Sequence, residues 1–134
     1  MPIFVDTGAW YALLDKSDSD HASAVQFNES LNHSIVTTNY VADEIITLTK
    51  ARLGYMNAVE IGNKIWNETI ATLIRVTPSD EKKAWDIFIK FRDKDFSFTD
   101  CTSFAVMERF GITEAFAFDE HFDQYGNIIR LPKY

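Results

Sequence analysis

Apolar residues follow two rhythms along this chain. Short runs such as Ile3-Phe4-Val5, Leu73 to Val76 and Ala115 to Phe118 read as buried strands, and Ser34 to Thr37 and Asn127 to Leu131 add two more. Between them lie longer stretches with helical spacing. A brief helix is predicted over Trp10 to Leu14, and a second, capped by Asp20, runs to about Leu31. Others cover Asn39 to Leu53, Met56 to Asn67 beyond Gly54, and Thr99 to Phe110 before Gly111. Thr77-Pro78-Ser79-Asp80 is a strong helix start, with a capping threonine, proline at the first helical position and an acid at the third. In that helix Ala84, Ile87, Phe88 and Phe91 share one face at i, i+3, i+4, i+7. Apolar strands alternating with helices predict an α/β domain with a mainly parallel sheet. In such sheets, sites form beyond the carboxyl ends of the strands.

Composition narrows this picture. The 134 residues are 46% hydrophobic and include eleven Phe, three Trp and five Tyr, which excludes a disordered chain. Without repeats or Pro/Gly/Ser linkers, residues 1–134 read as one domain. The single cysteine, Cys101, forms no intrachain disulfide and fits a reducing, cytoplasmic setting. Neither an export signal nor a membrane span is expected. A net charge of −7 gives no broad basic surface, which weakens a nucleic-acid substrate without excluding it.

Acids at strand ends are the candidate chemistry. Asp6 follows Ile3-Phe4-Val5, and Asp119 follows Ala115 to Phe118 in the same way. Either alone is equally well a turn residue. Glu44 falls within roughly 40° of Leu48 on its helix, at the edge of a face set by Val41, Ile45 and Leu48. A carboxylate there is costly unless paired or bound to a cation; alternatively it leans outward towards Lys50 or Arg52. Asp100 suits the first turn of its helix electrostatically. It also shares a face with Phe104 and Met107, and Thr99 can supply the cap in its place. Carboxylates gathered together raise each other's pKa values, and a divalent cation removes that penalty, with oxygen ligands selecting Mg²⁺ or Mn²⁺. No H-E-x-x-H, G-x-S-x-G or P-loop motif offers rival chemistry.

Together "FVDTGAW", "TTNYVADEIITL", "DFSFTDCTSFAVMERFGI" and "AFAFDEHF" resemble a PIN-domain protein, most closely the VapC-type ribonuclease toxins of toxin–antitoxin pairs. The resemblance spans essentially the whole chain, with the motifs in family order. It implies a three-layer α/β/α domain around a five-stranded, mainly parallel sheet. It also implies a metal-dependent endoribonuclease that leaves a 5′-phosphate and a 3′-hydroxyl. Carried over position by position, the catalytic acids are Asp6, Glu44, Asp100 and Asp119. Asp6, Asp100 and Asp119 hold Mg²⁺ or Mn²⁺, and Thr7, Asn39, Asp95 and Ser97 are supporting positions. No histidine base is expected: His121 caps or packs locally near the rim, while His21 and His33 read as surface helix residues. RNA, a cognate antitoxin and a second copy of the chain are the implied partners. Trp10, Tyr11, Leu13 and Leu14 either pack into the core or form an exposed groove for an antitoxin segment. The competing class is a non-catalytic PIN-like module for RNA binding or assembly. A receiver-like or phosphatase-like domain would require paired acids after the first strand and a late lysine, which this chain lacks.

Overall fold

Five parallel strands in the order β3-β2-β1-β4-β5 form the centre of the molecule, in a computed structural model that describes residues 1–133. The strands are β1 (Ile3–Val5), β2 (Ile35–Thr38), β3 (Thr72–Ile74), β4 (Glu114–Phe116) and β5 (Ile129–Leu131). The helices are α1 (Thr7–Leu14), α2 (His21–Ser30), α3 (Asn39–Leu53), α4 (Tyr55–Trp66), α5 (Pro78–Lys90), α6 (Phe98–Phe110) and α7 (His121–Tyr125). They complete a three-layer α/β/α arrangement, as expected.

β1 is the central strand and is buried throughout, which explains its unbroken apolar run. It pairs with β2 through Ile3↔Ile35 and Phe4↔Val36, and with β4 through Phe4↔Ala115 and Val5↔Phe116. The chain builds outward from β1 through β2 to β3, then returns to lay β4 on the other side of β1. The strand order therefore reverses between β1 and β4, where α/β sheets open a crevice. Thr37 locks this region together: its Oγ1 donates to the Val5 carbonyl (3.1 Å) and accepts from Trp10 Nε1 (3.3 Å).

Several boundaries depart from the sequence reading. α1 begins at Thr7, three residues before the expected start at Trp10, so Gly8 is helical. Asp20 makes no side-chain cap; its backbone N–H is held by Asp18 Oδ1 instead. Phe88 leaves the buried face of α5, which is built on Asp80, Ala84 and Ile87, and stacks on Trp85 in solvent. β4 ends at Phe116, so Asp119 sits three residues beyond its strand. α7 was not anticipated. It has five residues, anchored by the fully buried Phe122 against Phe4 and Phe104.

Candidate active site

The crevice between β1 and β4 receives acids from four separate elements. Asp6 follows β1 directly, and its N–H donates to the Phe116 carbonyl (3.1 Å), which joins the two strand ends. Its carboxylate is buried, and Oδ1 has no hydrogen-bond partner among the described residues. The buried Thr7 hydroxyl likewise lacks one. Glu44 lies half-buried on α3, at the edge of the stripe formed by Val41, Ala42, Ile45 and Thr49. Leu48, expected to belong to that stripe, is only half-buried itself.

Asp100 enters at the start of α6. Contrary to the sequence reading, Thr99 is not the cap. Ser97 Oγ accepts the Asp100 N–H and Asp100 Oδ2 accepts the Ser97 N–H, both at 3.0 Å, which makes a reciprocal capping box. The box orients Asp100 rather than consuming it, because only one of its oxygens is engaged. Asp119 lies exposed in the β4–α7 connection, whose Phe118 carbonyl accepts from Arg130 (3.0 Å).

These carboxylates act on one another. Burial pushes the Asp6 carboxyl up to about 8, with the negative charge of Asp100 next in weight and Glu44 and Asp119 adding to it. Burial also raises Glu44, and the charges of Asp100, Asp43 and Asp119 reinforce the rise. Asp100 is raised by burial too, against the pull of the Ser97 amide and of His121. An unpaired buried carboxylate oxygen costs a few kcal/mol, and a hard cation removes that cost. The orphaned Asp6 Oδ1 and the concentration of oxygen donors therefore fit a divalent ion.

His121 belongs to this cluster, which the sequence reading did not foresee. Its Nδ1 lies 2.7 Å from Asp100 Oδ2 and 3.1 Å from Asp119 Oδ1, and its backbone N–H donates to Asp119 Oδ1 (2.9 Å). Ligand atoms of Asp100, Asp119 and His121 lie within 4.8 Å of one another. The only signal in the sequence was its position two residues after Asp119. The remaining histidines stay apart. His21 is half-buried and donates from Nδ1 to the Ala12 carbonyl (2.7 Å), and His33 is exposed in the loop before β2 rather than on a helix.

The supporting positions divide by what they touch. Asn39 Oδ1 accepts the Val76 N–H (2.7 Å), tying the end of β3 to the start of α3. Ser97 caps α6, as above. Asp95 is exposed and makes no hydrogen bond to any of the four acids. Trp10 and Tyr11 are core residues, and Trp10 also joins Leu13 and Leu14 in lining a cleft of about 420 Å³ that mixes apolar residues such as Val25 and Ile61 with Asn28, Glu29 and Lys64.

The PIN domain family model matches residues 3–128. The chain is 37% identical over 131 residues to the 23S rRNA-specific endonuclease VapC20 of Mycobacterium tuberculosis, covering 98% of this chain and 99% of that protein. The crystal structure of VapC20, described as a Sarcin-Ricin loop cleaving toxin, superimposes with a TM-score of 0.88 at 36% identity, over 92% of this chain and 95% of that one. VapBC2 from Rickettsia felis, crystallised with a DNA fragment from its promoter, shares the fold at a TM-score of 0.67 and 11% identity, covering 97% of each chain. FitAcB from Neisseria gonorrhoeae does so at 0.66 and 10%, covering 98% of this chain and 97% of that one.

Proposed function

The chain belongs to the PIN-domain family, and on that premise we propose that it is a Mg²⁺- or Mn²⁺-dependent endoribonuclease, the toxin of a type II toxin–antitoxin pair, with ribosomal RNA as its substrate. The observation that carries the reading is that the charges of Asp100, Glu44 and Asp119 all act on the Asp6 carboxyl, which burial first of all, and these neighbours after it, push up to about 8.

Asp6, Asp100 and Asp119 would hold the cation, with Glu44 completing the pocket. When bound, a divalent ion lowers the pKa of water and neutralises charge on the phosphodiester under attack. The protein supplies the rest. Asp6 Oδ1 presents a desolvated, orphaned acceptor, and the Asp100 oxygen outside the capping box faces no competing donor among the described residues. Glu44, half-buried with its carboxyl raised, is suited to accept the proton of the attacking water. No step needs a histidine base.

Ribosomal RNA is supported by the 37% identity to an enzyme named for 23S rRNA, shared over nearly the full length of both chains. An antitoxin is the protein partner this reading requires, and the cleft beside Leu13 and Leu14, apolar with Glu29 and Lys64 in its lining, offers a seat for one of its segments. Association of two copies is supported by the exposed apolar strip Trp85, Phe88 and Ile89 on α5. No helix among the described residues is long and apolar enough to cross a membrane.

Primer extension on ribosomes treated with the protein and Mn²⁺ tests the proposal. One discrete cut in the large-subunit rRNA is expected, absent with EDTA and absent with Asp6→Asn. Cleavage by Asp6→Asn at the wild-type rate overturns the carboxylate assignment. Indiscriminate degradation, or no cut in that RNA, overturns the substrate.

A further inference from the structure

His121 touches two of the four acids, the buried Asp100 and the exposed Asp119, and its contacts select particular oxygens. The ring Nδ1 and the Ser97 amide converge on Asp100 Oδ2, at 2.7 and 3.0 Å. The ring Nδ1 and the His121 backbone amide converge on Asp119 Oδ1, at 3.1 and 2.9 Å. Asp100 Oδ1 and Asp119 Oδ2 receive no hydrogen bond among the described residues. Each carboxylate is thus loaded on one oxygen and open on the other.

The clasp is rigidly mounted. Phe122, the next residue, is fully buried between Phe4 and Phe104, which fixes the start of α7. Phe96 meets the imidazole edge-on, with ring centroids 5.6 Å apart and an interplanar angle of 74°. A ring fixed from behind, bridging a buried acid on α6 to an exposed one in the β4–α7 connection, sets the separation of the two carboxylates. An exposed acid outside the helices and strands then behaves as part of the scaffold.

We propose that His121 is a positioning residue: through Nδ1 it clasps Asp100 to Asp119 and turns their open oxygens towards the cation site. This rests on the functional reading above for the identity of what is bound. The clasp itself requires only an N–H donor at the position of Nδ1. An asparagine at 121 places its amide nitrogen close to that position, whereas a glutamine places it nearer the position of Nε2.

Mn²⁺ titration calorimetry, RNA cleavage, and thermal melting in EDTA are to be compared for wild type, His121→Ala, His121→Gln and His121→Asn. The alanine and glutamine variants are expected to lose about 10- to 100-fold in Mn²⁺ affinity and in cleavage, the range typical of groups that orient metal ligands. His121→Asn is expected to stay within about threefold of wild type. The same order is expected for melting in EDTA, a readout independent of metal and RNA. Variants equal to wild type in all three measurements overturn the clasp, as does glutamine rescuing where asparagine does not. Equal loss in all three variants makes the ring a direct ligand and also overturns it. If wild type neither binds Mn²⁺ nor cuts RNA while asparagine still restores melting, the clasp stands and the nuclease reading falls.

Discussion

Asp6 pulls folding and catalysis in opposite directions. Its carboxyl titrates near 3.8 in an unstructured chain and at about 8 in the fold. Between those values the native state holds a proton that the unfolded state has released, so stability falls as pH rises from about 4 to about 8 and is level above. Glu44 and Asp100, also raised, act in the same sense. Melting temperatures in EDTA are expected to decline across that window, and Asp6→Asn is expected to flatten the decline and melt higher than wild type at pH 8. Parallel profiles for the two proteins would refute this. A cation reverses the balance by replacing the proton. Mn²⁺ binding at pH 7 is therefore expected to release protons, measurable by calorimetry in buffers of different ionisation enthalpy, with the release fading above about pH 9. The positions of Asp6 and Glu44 were readable as candidates, because a strand end and a helical face are local features, whereas Asp119 lies three residues beyond the end of β4. His121 was not readable, because its role lies in an oxygen 21 residues away.

At the scale of elements, helix starts carry the local logic. Thr77 and Asp80 form the capping box their spacing predicts, with both hydrogen bonds present. The same device at Ser97 and Asp100 was misread, because a threonine adjacent to the acid also fits a cap. The distinction has a measurable consequence. Ser97→Ala removes the Oγ acceptor and should cost about 1 kcal/mol of stability. The backbone amide that holds Asp100 Oδ2 survives the substitution, so cleavage should stay near the wild-type rate, with urea unfolding and RNA cleavage measured in parallel. A collapse of cleavage with unchanged stability would mean that the Ser97 hydroxyl serves the site directly. α7 escaped the sequence reading because five residues are too few to establish a period, and its side chains make no N-cap. Its stability comes from elsewhere, from Phe122 in the core and from Tyr125 stacked on Phe104 at 4.3 Å.

For the whole molecule, the reversal of strand order beside β1 is what turns scattered acids into a pocket. The exposed strip Trp85, Phe88 and Ile89 lies outside that pocket's logic, and Phe88, expected in the core, is part of it. Size-exclusion chromatography with light scattering at micromolar concentration is expected to give the mass of two chains, and Trp85→Glu the mass of one. A wild-type monomer under those conditions would remove the dimer from the proposal. Periodicity and turn chemistry alone determined that the chain alternates strands with helices, and which acids end or flank them. Those properties depend on residues within a few positions of one another. Which strands become neighbours, which oxygen of Asp100 stays open, and which histidine joins the acids were decided only by packing. They depend on contacts between residues far apart in the chain, and no local pattern encodes the distance at which two folded elements meet.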